Sequence, residues 1–161
     1  FRQLTDRHLD DAYRLAAVIL ADRLEAEDAV HDAAVAAWRA FDGLRDRSVF
    51  EGWFRRIVVN ECRDRLRARS RRRVVDLGRE LVDAEHPLVA DPARATADRD
   101  ALARALGVLD ADHQVVVALR FHADMTVPVI AATLGVPEGT VKSRLHHAMT
   151  RLRTALEEAD R

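Results

Sequence analysis

The sequence predicts an all-α protein of two small helical domains joined by a linker, the second carrying a helix-turn-helix. Three observations predict this class. Apolar residues recur at i, i+3, i+4 spacing in several windows. Only six Gly and four Pro occur among 161 residues, 48% of them hydrophobic, a mix that favours helices with a packed core over disorder. The sign of the charge also alternates along the chain. Residues 55–73 hold nine arginines against Glu61 and Asp64, residues 76–112 hold nine acids against four arginines, and residues 140–153 hold four basic groups and no acid. The net charge is only −1, so the total hides two basic blocks, suited to meet phosphate, separated by an acidic stretch.

The first unit covers residues 1–75. Leu9, Ala12, Tyr13, Ala16, Ala17 and Leu20 predict a helix over 8–20. Val30, Ala33, Ala34, Ala37, Trp38 and Phe41 predict a second over 25–41, with Glu27, Asp28, His31 and Asp32 on its opposite face. Asp42-Gly43 breaks it, and Ser48 is the expected cap of a third helix. Phe50, Trp53, Phe54, Ile57 and Val58 form an apolar stripe in that helix, which continues into the arginine block. The spacing of these aromatics is that of a core. The seven arginines between 63 and 73 instead repel one another unless polyanion is near.

Residues 76–97, acidic and punctuated by Gly78, Pro87 and Pro92, predict a linker with a short helix near 79–84. The second unit covers 98–161. Asp91-Pro92 is a helix start, Asp as cap and Pro in the first turn, for a helix over 93–107. Asp110 caps another over 111–122, where Val115-Val116-Val117 also fits a short strand. Thr126, with Pro128 in the first turn, starts a short helix that buries Ile130, Ala131 and Leu134. Gly135 ends it. Val136-Pro137 opens the next helix, with Val141, Leu145, Ala148 and Leu152 as its stripe. A small residue at 131, glycine at 135 and an apolar anchor at 141 form helix-turn-helix spacing.

The exposed side of that last helix is expected to carry Thr140, Lys142, Ser143, Arg144, His146 and His147. Such a helix fits a DNA major groove about 12 Å wide. A plain two-helix corner shares the spacing, but a face free of acid from 140 to 153 favours DNA. Glu27, Asp28, His31 and Asp32 contain metal-like i, i+4 pairs yet lack a partner helix with matching ligands. They read as a protein-facing acidic surface, and no metal or cofactor is expected. No nucleophile–base pair or glycine-rich phosphate loop is recognisable, so no enzyme is expected. Cys62 alone forms no intrachain disulfide and reads as a packing residue, and a reducing compartment, the cytoplasm, is expected. No apolar run approaches the ~20 residues of a membrane span, and no secretory signal is visible. An opening Phe1 suggests a trimmed natural N-terminus.

Three strings carry a family resemblance. EAEDAVHDAAVAAWRAF at 25–41 resembles region 2.2 of extracytoplasmic-function sigma factors of the sigma-70 family. FEGWFRRIVVNECRDRLR at 50–67 resembles regions 2.3 and 2.4, with Asn60, Asp64 and Arg65 at family-typical places. LGVPEGTVKSRL at 134–145 resembles the region 4.2 helix-turn-helix. The resemblance implies an alternative sigma factor in which 1–75 is region 2 and 98–161 is region 4. Region 2 would bind the polymerase β′ clamp helices through Glu27, Asp28, His31 and Asp32. It would capture the melted −10 strand through Arg56, Asn60, Arg63, Asp64 and Arg67. Region 4 would bind the β flap and read the −35 duplex through Thr140, Lys142, Ser143, Arg144 and His147. The linker would enter the RNA exit path, and an anti-sigma factor would hold the protein inactive. The chain departs from the family pattern at three places that bear on −35 preference. Val129 after Pro128 replaces a usual Glu, Leu109-Asp110-Ala111-Asp112 replaces a Pro-rich turn, and His147 replaces an Arg.

Overall fold

The structure, a computed structural model, describes residues 1–76 and 106–159. The expected linker, the helix near 79–84 and all but the end of the helix over 93–107 lie outside the described residues. Helix α1 (Arg2–Leu20) begins six residues before the apolar periodicity does. Phe1 anchors this extra turn, its ring edge-on to Phe41 at 5.1 Å and Phe50 at 6.2 Å. Ala21 ends α1 in the left-handed region at φ 54°. Asp22 then caps α2 (Arg23–Ala40) by accepting the Glu25 N–H at 2.9 Å.

The buried face of α2 is Ala26, Ala29, Val30, Ala33 and Ala37, closed by Phe41. Its small side chains let α1 and α3 pack against it. Trp38, grouped by periodicity with this face, is instead 64% exposed. It sits about 100° around the helix from buried Ala37, on a side that no described helix covers. Short 3₁₀ turns at Phe41–Gly43 and Arg47–Val49 lead into α3 (Phe50–Asp76). Ser48, expected as the cap of the third helix, lies inside the second of these turns, which Asp46 caps: its carboxylate accepts the Ser48 N–H at 2.9 Å and the Ser48 hydroxyl at 2.6 Å. Phe50 and Phe54 are each 1% exposed and stacked, with centroids 5.7 Å apart.

In the second unit Asp110 caps α4 (Ala111–Val117) through the His113 N–H at 3.0 Å. Helix, not strand, therefore takes the Val115–Val117 run. The coil then widens into a π-helical turn at Ala118–His122. Thr126 occupies the cap position of α5 (Val127–Leu134), but its side chain makes no cap bond. Gly135 ends α5 at φ 66°, a conformation glycine adopts without a Cβ clash. Helix α6 (Glu138–Ala159) completes the helix-turn-helix.

The two units pack on each other. Helix α3 touches α4 and α5, and α1 touches the π turn. The buried residues from Ala12 through Phe54 and Val58 to Val115, Ile130 and Val141 form one continuous apolar cluster. A small satellite of Leu109, Ala148 and Leu152 holds the far end of α6.

Gly135→Ala should destabilise the protein by about 1 kcal/mol, because alanine must enter the left-handed region. Gly135→Asn should cost less. Thermal unfolding followed by circular dichroism checks both, and equal stability for glycine and alanine at 135 would contradict the turn geometry.

Candidate nucleic-acid interface

Helix α3 carries its arginines on several faces, and each face meets something different. Arg65 and Arg69, one turn apart, turn toward α2, where Arg65 pairs with Asp32 and Arg69 with Glu25. Arg69 also donates to the Leu20 carbonyl at 3.3 Å, tying α3 to the end of α1. Arg55 pairs with Glu51 one turn earlier on its own helix. The acidic face on α2 is thus not uniform. Glu27, Asp28 and His31 are exposed without ion pairs among the described residues, whereas Asp32 is engaged by Arg65. Burial, with the nearby Asp32 charge adding to it, raises the Glu61 carboxyl above the usual carboxylate range against the pull of Arg65.

Arg56, Asn60, Arg63 and Arg67 recur at helical spacing along one stripe of α3. This stripe runs beside the second unit. At one end Arg56 is exposed, and its guanidinium lies 3.6 Å from the point where a Cβ on Gly135 would sit. Asn60 and Arg63 are half-buried, and the Arg63 Nε is buried without a partner. At the other end the Arg67 guanidinium donates to both oxygens of Asp112, at 2.9 and 3.1 Å. Asp64 lies off the stripe and is exposed.

On the recognition helix α6, Lys142, Ser143, His146 and His147 are exposed, and Thr140 is half-buried. Ser143 and His147 face each other one turn apart, with Oγ 3.5 Å from Nδ1. Arg144 differs from the sequence expectation. It is 23% exposed and donates to Asp112 at 2.8 Å, because α4 packs against α6 and Asp112 lies in its first turn. Asp110, next to it, binds His113 at 2.6 Å and Arg151 at 3.8 Å. Burial alone would raise the Asp110 carboxyl, but the His113 bonds and the Arg151 charge outweigh it and hold the group below its ordinary value.

Asp112 is the residue that sequence reasoning missed. The sequence marked it as one of nine acids and as part of the Leu109–Asp112 turn, in a first helical turn where an acid already suits the helix dipole. Nothing in the linear pattern distinguishes that role from a carboxylate shared by two arginines 45 and 32 residues away. Among the described residues no three His, Cys, Asp or Glu side chains cluster as metal ligands. No described helix is long and apolar enough to cross a membrane.

Among the described residues the protein is all-helical, with one group of basic side chains on a long helix and another on a helix-turn-helix. Residues 4–72 match Sigma-70 region 2, and residues 105–154 match Sigma-70, region 4. The chain is 34% identical over 160 residues to an RNA polymerase sigma-E factor of Streptomyces avermitilis, covering 99% of this chain and 87% of that protein. It is 32% identical over 158 residues to the ECF RNA polymerase sigma factor SigL of Mycobacterium tuberculosis, covering 98% and 89%. Two solved structures are similar. One is the sigma factor RpoE in complex with the anti-sigma factor NepR from Bartonella quintana, with TM-score 0.70, 28% identity and 98% and 96% coverage. The other is CnrH in complex with the cytosolic domain of CnrY, with TM-score 0.63, 29% identity and 99% and 88% coverage. The chain belongs to the extracytoplasmic-function RNA polymerase sigma factors of the sigma-70 family, a family of transcription regulators rather than catalysts.

Cys62 lies on the buried face of α3 itself, and burial pushes its thiol up to about 12. Little thiolate therefore exists at neutral or mildly alkaline pH. Native protein should resist iodoacetamide there, and denatured protein should react at once. Stoichiometric labelling of the folded protein, read by mass spectrometry, would refute this placement.

Proposed function

We propose that this chain acts in the bacterial cytoplasm as a promoter-specificity subunit, without catalysis of its own. It joins core RNA polymerase, reads the −35 duplex with α6 and receives the melted −10 strand on α3. The observation that carries this reading is the order of its parts. A region 2 match with an arginine-striped helix precedes a region 4 match with a basic recognition helix. A simple helix-turn-helix regulator needs neither the strand-capturing stripe nor the acidic patch on α2.

In this reading the roles divide by chemistry. Arg56, Arg63 and Arg67 neutralise phosphates of the open strand, while Asn60 and Asp64 offer polar contacts to unstacked bases. Lys142, Ser143, Thr140 and His147 approach the major groove, and Arg144 joins them where Asp112 releases it. The acidic patch of Glu27 and Asp28, with His31, meets a basic surface of the β′ clamp, while region 4 meets the β flap. Asp32 takes part from within its pair with Arg65. Anti-sigma control is proposed because both similar solved structures are described as complexes of this kind: RpoE with NepR and CnrH with CnrY. Run-off transcription with core polymerase on a genomic promoter library tests the reading. Promoter-dependent transcripts are expected only when this protein is added, and their absence on every template would refute it.

Three outcomes are specific to the residues. Lys142→Ala should weaken −35 binding by about 1–3 kcal/mol on preferred promoters if it reads a base edge, and uniformly on all promoters if it touches only phosphate. Wild-type transcription from every promoter would remove α6 from its role. Glu27→Arg with Asp28→Arg should lower core-polymerase affinity about tenfold or more at low salt, with helicity unchanged. Unaltered affinity in a sedimentation or surface-binding assay would separate this patch from the polymerase. Free protein should bind a −35/−10 duplex weakly and with steep salt dependence, while holoenzyme binds specifically. Nanomolar, sequence-specific anisotropy titrations of the free protein would favour the simple-regulator alternative.

A further inference from the structure

Both candidate DNA surfaces converge on one carboxylate. The Asp112 side chain, 22% exposed, accepts three bonds from two guanidiniums. Arg144 belongs to the recognition helix of its own unit, whereas Arg67 belongs to the α3 stripe of the other. Paired, charge-assisted bonds of this kind are stronger and more directional than a lone exposed ion pair. The rest of the contact between the units is apolar around Val115 and Ile130, with Arg56 beside Gly135. Apolar packing sets how the units meet, but it brings a row of arginines on α3 up to the arginine of α6. Without a counter-charge, Arg67 and Arg144 would be partly desolvated like charges side by side, a costly arrangement.

We propose that Asp112 is a latch that holds regions 2 and 4 together in the free protein, standing where nucleic-acid phosphate would otherwise sit on Arg67 and Arg144. The proposal rests on the reading of α3 and α6 as DNA-binding surfaces and adds the residue that regulates them. Phosphate and Asp112 satisfy the same guanidinium edges, so Arg67 cannot pair fully with both. Closure and strand capture by Arg67 are therefore alternatives, and each weakens the other by mass action. The apparent affinity of the free protein for a single strand is its open-state affinity reduced by the fraction of molecules that are open. Arg144 has a different position in the exchange. Its bond to Asp112 lies within one unit and survives separation, so a DNA phosphate or base must displace it locally.

The latch is tested with the full chain in three variants. Asp112→Asn keeps the shape and removes the charge. Arg67→Gln cuts only the bond between the units. Asp124→Asn, at an exposed site with φ 49° that asparagine tolerates, removes an equal charge elsewhere. Small-angle scattering should give the wild type a radius of gyration near the ~15 Å of a compact chain of this length. Asp112→Asn and Arg67→Gln should both expand it, the double variant should expand no further, and Asp124→Asn should stay compact. Anisotropy with a labelled mixed-sequence single strand of about 12 nucleotides should show about tenfold tighter binding for Asp112→Asn and less than twofold for Asp124→Asn. Helical circular dichroism in each variant shows that it is folded. An unchanged radius in both latch variants, or equal tightening by Asp112→Asn and Asp124→Asn, would overturn the proposal. Its fate is separable from that of the sigma-factor reading: expansion and tightening without any promoter-dependent transcription would leave the latch standing and remove the function.

Discussion

Within the contact that apolar packing sets, the charge layout of the described residues depends on how the arginines of α3 are neutralised. Residues 55–73 place nine guanidiniums on one helix, and a helix cannot hold so many like charges near a core without local counter-charges. The chain supplies them from three directions. Glu51 serves Arg55 along the helix, Asp32 and Glu25 serve Arg65 and Arg69 from α2, and Asp112 serves Arg67 from the other unit. The first acts within α3 alone, whereas the second ties α3 to α2, and Arg69 also reaches the end of α1 through the Leu20 carbonyl. The third crosses between the regions. Arg71 and Arg72 remain exposed on the last turns of α3. The same helix is thus a structural strut on its α2 side and, on the proposed reading, a polyanion surface on the stripe that Arg67 ends.

Packing supports this division. The α2 face of Ala26, Ala29, Ala33 and Ala37 lets helices approach closely enough for the acids of α2 to reach α3. Bulk is moved to the ends, where Phe1, Phe41, Phe50 and Phe54 form an aromatic cluster. Trp38 finds no place against that alanine face and stays in solvent next to the acidic patch.

Much of this was legible in the sequence, for identifiable reasons. Apolar period and turn chemistry located α2, α5 and α6, because Gly135 and the stripes of Val30 and Val141 are local signals. The aromatic stripe of Phe50 and Phe54 was read as core for the same reason. Most failures were tertiary. Phe1 extends α1 only through rings far along the chain. Locally, Ser48 lies inside a 3₁₀ turn that Asp46 caps by accepting both its N–H and its hydroxyl, so it is not the first residue before α3. Trp38 obeyed the period yet sat one position off the buried face. Arg144 was expected in solvent, since no sequence pattern reveals that α4 lays Asp112 against it.

That last failure bears on function. A basic helix read from sequence is assumed to be free, and its affinity for DNA is inferred from its own charge. In this fold the charge is already answered by a carboxylate of the same chain, so what governs binding is a difference between two partners for one guanidinium. A net charge of −1 then carries information after all. A strongly cationic protein would hold any duplex through long-range attraction. A nearly neutral one, with Arg65, Arg67, Arg69 and Arg144 paired internally, gives up little by staying closed. On the proposed latch, it engages DNA only where another surface replaces the contacts between its units and leaves Arg67 and Arg144 to phosphate. Dependence on a large partner would then follow from where the counter-charges lie rather than from weakness of the binding helices themselves.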